Sequence, residues 1–154
     1  MADLDYPIIN GRAMDGAAVK IKLLGSYWRG ITSITYGDAL EPTHVYDLGG
    51  PAPIAMTTGQ YKPDDVAIEI LRERADAIRA AMKAKAPRLG WGMVPFTIIV
   101  HYDAPGSRPI TDVILGSRVI KAGNDAKAGG DALIEKWTIK PMSLRRNSSY
   151  LYKP

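Results

Sequence analysis

The sequence contains no cysteine, two histidines and one phenylalanine. Without cysteine there are no disulfides, no thiolate nucleophile and no sulfur-based metal centre, and the chain suits a reducing compartment. His44 and His101 stand far apart, with neither HxH nor HExxH spacing, so no metal site is expected and neither residue is assigned acid–base chemistry. No apolar run approaches the roughly 20 residues of a membrane helix, and no membrane partner is expected. The segment Met1 to Arg12 carries Asp3 and Asp5 and no long apolar stretch, unlike a signal peptide. Synthesis and folding in the cytoplasm are the expectation.

Catalytic signatures are missing as well. There is no GxSxG, no phosphate-binding Walker motif and no dinucleotide fingerprint. Asp64 and Asp65 are adjacent, and alternation along a strand points them in opposite directions, so they suit turn chemistry beside Pro63 better than a shared carboxylate site. Gly123-Asn124-Asp125 and Gly129-Gly130-Asp131 lack the ligand spacing of a calcium loop and the strand-to-helix context of a phosphate loop, and read as turns. No enzyme activity, cofactor or metal is expected.

What is present is a globular composition, 46% hydrophobic and 23% charged over 154 residues, a length that fits one domain, 1–154. Fifteen glycines and eleven prolines, scattered singly and in pairs, punctuate short strands. Eight tyrosines and three tryptophans suit positions wet at one end and apolar at the other, including subunit interfaces.

Period-two alternation dominates. It runs through Val19, Ile21 and Leu23; through Ile34 and Tyr36; and through Val66, Ile68 and Ile70. Phe96, Ile98, Val100 and Tyr102 share one face, and Leu133, Glu135, Trp137 and Ile139 another. Turn signals bound these runs at Gly37-Asp38, Gly49-Gly50-Pro51, Pro105-Gly106 and Gly129-Gly130. The pattern predicts a mainly β fold, a two-sheet antiparallel sandwich or barrel of seven or eight strands. Two strands are apolar on both faces, so part of the sheet is covered twice. One segment differs: Arg72 to Lys85 has five alanines, with Leu71, Ala75, Ile78 and Met82 at helical spacing and a stop at Pro87 and Gly90. It predicts one flanking helix over 72–85. The interval 40–59, holding Pro42, His44, Tyr46, Gly49, Gly50, Pro51 and Pro53, lacks sustained periodicity. A long excursion of this kind is commonly functional or interface-forming.

The charge is localised. Arg72, Arg74, Arg79, Lys83, Lys85 and Arg88 face only Glu73 and Asp76 within 72–88, an excess equal to the whole chain's +4. The rest of the sequence is neutral. This basic stretch reads as a solvated helix face, as a docking surface for an acidic protein, or as a nucleic-acid site. The last is disfavoured because no aromatic interleaves the cations.

The order of these segments, from about Gly30 to Asn147, resembles the tail tube proteins of contractile-tailed bacteriophages. The resemblance is carried by Gly30-Ile31-Thr32-Ser33-Ile34 with Gly37-Asp38-Ala39-Leu40-Glu41-Pro42, by Thr58-Gly59-Gln60-Tyr61 before Asp65–Leu71, by Ile110–Ile120, and by Gly130-Asp131-Ala132-Leu133 through Ile139-Lys140-Pro141-Met142. It implies a structural protein of the virion tail that forms six-fold rings stacked into a hollow tube. One sheet joins its neighbours around an inner barrel, which would remove exposed strand edges. The implied partners are other copies of the chain, a contractile sheath, baseplate and tail terminator proteins, and DNA passing through the lumen without specific binding.

Two placements follow as expectations. The basic residues Arg72, Arg74, Arg79, Lys83, Lys85 and Arg88 would face the sheath, and the 40–59 excursion would bridge to the adjacent subunit or ring. A DNA conduit is expected to have neutral or acidic lumen residues. Lys20, Lys22, Lys136 and Lys140 would conflict with that if they lined the bore without acids beside them. The same fold implies alternatives: a type VI secretion or bacteriocin tube, a tube initiator or terminator, or a monomeric β-sandwich binding module docking through its helix.

Overall fold

The computed structural model describes residues 19–103, 108–126, 128–130 and 132–152. The segment 1–18, the Pro105-Gly106 turn and Asp131 lie outside them. The described residues form thirteen strands and one α-helix: β1 Val19–Leu23, β2 Ser26–Tyr27, β3 Ile31–Thr35, β4 Asp38–Glu41, β5 His44–Tyr46, β6 Pro53–Met56, β7 Gln60–Pro63, β8 Val66–Leu71, α1 Arg72–Lys85, β9 Phe96–Tyr102, β10 Ile110–Asp125, β11 Ile134–Lys140, β12 Ser143–Arg146 and β13 Ser149–Tyr150. All the pairings are antiparallel. The fold is mainly β with one helix, as the alternation predicts. More strands form than the expected seven or eight, because segments of two to four residues are too short to display a period.

The main sheet runs β2-β1-β9-β10-β11-β8-β3, and β12 joins β10 and carries β13. The 16-residue β10 organises it. Its first part, Ile110 to Leu115, lies between β9 and β12, while Arg118 to Asp125 pairs with β11. The ladder breaks between Ile114 and Ser117. Gly116 sits there at φ +63°, where an added Cβ would meet the Met142 side chain at 2.7 Å. One strand therefore serves two sections of sheet through a glycine that no side-chain-bearing residue could replace without displacing Met142. This corrects the reading of Gly123-Asn124-Asp125 as a turn: these residues pair with Lys136, Glu135 and Ile134. They belong to a stretch that, among the described residues, is bonded on one side only, where glycine and asparagine are tolerated.

Both sections bury one apolar cluster. Ile21, Leu23, Ile98, Val100 and Ile114 come from the β1–β9–β10 section, and Val66, Ile68, Ile70, Trp137 and Ile139 from the β8–β11 section. The helix starts directly after β8 and inserts Ala75, Ile78 and Met82, all fully buried. Burial of Ile78 or Met82 contributes about 1.5–3 kcal/mol each. The helix boundaries match those read from the sequence. Ala86 takes an extended φ of −145° before Pro87, as the residue before a proline prefers. Double coverage of the sheet occurs inside the chain: Val113 is buried and Ile99 half-buried on the face opposite the core.

Candidate assembly surfaces

The 40–59 excursion is more regular than the sequence suggested. β4 pairs with β7 and β5 with β6, so residues 38–63 form one two-stranded arm. Thr43 and Thr57 link the two ladders: the Thr57 amide donates to the Thr43 carbonyl at 2.9 Å, and the Thr43 amide to Thr57 Oγ1 at 2.8 Å. Periodicity was absent because both faces of the outer arm are exposed, so no alternation is imposed on β5 and β6. Gly59 permits the arm's return at φ +88°, where a Cβ would meet the Pro42 nitrogen at 2.7 Å.

The arm's two ends differ chemically. Its base is pinned by polar side chains. The Asp38 carboxylate, 1% exposed, accepts from Arg146 at 2.6 Å and from the Tyr61 hydroxyl at 2.8 Å. The Leu144 amide in turn donates to the Tyr61 oxygen at 3.0 Å. Burial, reinforced by the hydrogen bond to Asp38, raises the Tyr61 pKa, while that same carboxylate raises the Arg146 pKa. Beside the base, Tyr36 hydrogen-bonds to Tyr102 and to the buried Asp112. Burial first, then these bonds, push the Tyr36 hydroxyl far above its ordinary range. The outer end presents Val45, Tyr46, Leu48, Ile54 and Met56 to solvent, with Leu48 fully exposed. His44 and Tyr46 meet edge to face there. Pro42, Gly49, Gly50, Pro51 and Pro53 all lie on this exposed arm.

Among the described residues, the β10-β11-β8-β3 section is open at both margins: β3 pairs only with β8, and beyond Val119 β10 pairs only with β11. A cleft lined by Val19, Ile21, Tyr27, Trp28, Ile31 and Ile34 runs beside the β3 edge. Unpaired strand edges of this kind are sites for pairing with another chain.

The structure divides the six basic residues of 72–88. Arg72 and Arg79 both reach Glu135, a carboxylate 1% exposed on the core face of β11. Arg72 does so at 2.9 Å, and the Trp137 indole donates to the same carboxylate at 2.7 Å. Arg79 also lies over the Trp91 ring, 5.0 Å from its centre, and Trp91 packs on Trp137 at 5.1 Å. A buried carboxylate needs such partners. Asp76 pairs with both arginines from the solvent side. Arg74, Lys83, Lys85 and Arg88 have no ion pair among the described residues, and Lys83 and Lys85 suit the negative end of the helix dipole. Glu135 was the structural anchor least evident beforehand. Its signal was a carboxylate sharing the apolar face of Trp137 and Ile139, opposite a helix carrying arginines.

Among the described residues, no group of three or more His, Asp or Glu side chains could hold a metal ion, and no helix is long and apolar enough to cross a membrane. His101 is half-buried, with Nδ1 3.0 Å from Thr111 Oγ1 and its ring against Tyr27.

No protein-family profile and no curated protein matches the sequence. Solved structures do match the fold. A chain of the tube-terminating cap of the anti-feeding prophage superposes with a TM-score of 0.71 at 11% identity, covering 97% of this chain and all of that one. A chain of the sheath–tube complex of the extracellular contractile injection system PVC gives 0.68 at 10% identity, covering 95% of each. Hcp1 from Flavobacterium johnsoniae gives 0.57 at 12% identity, covering 88% of this chain and 99% of its own. The chain therefore has the fold of the tube-like and Hcp-like components of contractile injection systems.

Proposed function

We propose that the chain is the ring-forming subunit of the hollow inner tube of a contractile injection apparatus, a structural protein rather than an enzyme. The observation that carries this is the four-stranded section β10-β11-β8-β3, unpaired along both margins among the described residues. If the β3 edge of one copy meets the outer half of β10 in the next, the sheet continues around a ring and closes, and no edge remains. The face of the section turned away from the core then lines the bore. The fold shared with chains of a sheath–tube complex and a tube-terminating cap supports the same reading.

The partners follow from that architecture: other copies of the chain, a surrounding sheath, and baseplate and cap proteins at the tube ends. The arm 38–63 bridges to an adjacent subunit or ring through Val45, Tyr46, Leu48, Ile54 and Met56. The sheath contacts the helix, where Arg74, Lys83, Lys85 and Arg88 offer positive charge to an acidic surface. Arg72 and Arg79 stand beside them but are anchored to Glu135. Exposed pairs of this kind are individually weak, which suits a sheath that must slide. A phage tail tube would use the same subunit design, with DNA as cargo and the virion as its location.

Negative-stain imaging of the purified chain tests the proposal. Rings or tubes with a central hole are expected. Deleting 47–53 should leave the fold intact and abolish polymerisation; normal tubes from that variant would remove the arm from the assembly.

A further inference from the structure

The arm 38–63 and the helix are joined to the body by different means. The helix inserts Ala75, Ile78 and Met82 into the apolar cluster, whereas no residue of the arm takes part in it. The nearest contributors along the chain are Tyr36 before the arm and Val66 after it. Polar contacts hold the arm's base instead. Arg146 of β12 donates to Asp38 of β4 at 2.6 Å, and the Leu144 amide of β12 donates to the Tyr61 hydroxyl of β7 at 3.0 Å. Tyr61 in turn donates to Asp38 at 2.8 Å. Both strands of the arm's base are therefore tied to one strand of the body.

Arg146 stands at the middle of this junction. It donates to Asp38, and Asp112 lies directly opposite it across the β10–β12 ladder. One cation thus serves two carboxylates that are both withdrawn from water. A buried carboxylate that loses its cation is costly, so Asp38 and the strand that carries it stay where Arg146 stands. Such contacts are directional and fail at displacements that an apolar contact tolerates. The consequence is amplified along the arm. From Asp38 to Leu48 the chain can reach about 30 Å at the rise of a strand, so a rotation of about 10° at the base moves the outer end about 5 Å. The Lys62–Glu41 pair on the same arm has no such leverage, since both side chains are largely exposed and both belong to the arm.

We propose that Arg146 is the positioning residue of the arm: its bond to Asp38 fixes the direction in which 38–63 projects, and opening that bond frees the arm as a lever, so that β12 controls assembly. The inference rests on the tube reading, in which the arm's apolar outer end must meet one site on another copy, and it names the device that aims it. A freed arm presents that end correctly for only a fraction of the time, and the apparent affinity between copies falls by the same fraction.

Because the sequence lacks cysteine, two introduced thiols are the only ones that take a label. Gly50→Cys lies between β5 and β6, where an added Cβ meets nothing within 4 Å, and Lys83→Cys lies exposed on the helix. Pulsed dipolar spectroscopy of the spin-labelled full chain, at concentrations where it is single, reads the arm–body distance distribution. With Arg146 and Asp38 intact a narrow distribution is expected, and R146A or D38N should widen it at least about twofold. R146K, which keeps a cation beside Asp38, and K62A should leave it narrow. Hydrogen exchange of β8 and β11 checks that the body stays folded; if R146A unfolds, D38N, which keeps the side chain's shape, decides. A distribution that stays narrow in R146A and D38N, or is broad before either change, would overturn the proposal. Equal widening by K62A would overturn it too. Sedimentation and imaging of the unlabelled chains separate the two readings. R146A is expected to need about tenfold more protein to assemble. A widened arm with unchanged assembly refutes the control by β12 and leaves the tube standing. Widening by R146A, in a chain that forms no rings or tubes even unsubstituted, supports the hold of Arg146 on the arm and refutes the tube.

Discussion

The helix–sheet junction and the outer arm spend their side chains in opposite ways. At the junction a buried carboxylate, two arginines and two tryptophans satisfy one another within the chain: Glu135 takes Arg72, Arg79 and the Trp137 indole, and Trp91 closes over Arg79. On the arm, Leu48, Ile54 and Met56 are turned largely to water among the described residues. The first arrangement serves folding. The second gains only when another molecule covers it, because exposed apolar clusters mark contact surfaces. Where a residue type looks functional in the sequence, the question is whether its partner lies in the same chain.

Breaking the junction should have the largest effect. Replacing both Arg72 and Arg79 by alanine leaves Glu135 buried with only the Trp137 indole, and is expected to cost about 3–5 kcal/mol in denaturant unfolding. A smaller loss is expected at the arm's hinge. Gly59→Ala, forced to φ +88° against the Pro42 backbone, should lower stability by about 1–3 kcal/mol, with a matching drop in the unfolding midpoint.

The outer arm should respond in the opposite sense. L48S/I54S/M56S is expected to shift the unfolding free energy by less than about 0.5 kcal/mol while abolishing assembly seen by sedimentation. Intact assembly would mean that the exposed apolar side chains are not the contact, and a large loss of stability would mean that they pack on their own chain.

The subtlest effect concerns alkaline pH at the arm's base. Tyr36 and Tyr61 hold their protons more tightly folded than unfolded. Their contribution to stability is whole below the ordinary tyrosine pKa of about 10 and is lost as pH climbs toward the folded values. Tyr36→Phe should flatten the decline in unfolding midpoint above about pH 10; an unchanged slope would count against the Tyr36–Asp112 bond.

Much of this architecture was legible in the sequence where burial on one side imposes a period. The alternation of Val66, Ile68 and Ile70, the one helix and its stop at Pro87 all follow from one-sided burial. The arm was not legible as strands because water on both sides of β5 and β6 leaves no period to read. The passage of β10 through Gly116 and Gly123 was hidden because glycine, taken as a turn signal, there serves a bulge and a strand edge. The even charge of the sequence outside the helix likewise concealed local segregation, since only pairing across β8, β10 and β11 brings Arg118 beside Lys140 and sets Lys136 against Glu69.

Amide hydrogen exchange most directly tests whether copies of this chain complete its open margins. At assembling concentrations, the outward amides of Ile31–Thr35 and Ile120–Asp125 are expected to become strongly protected. On dilution to single chains they should exchange rapidly, while β8 and β11 stay protected throughout. Margins that exchange alike at every concentration would contradict the account.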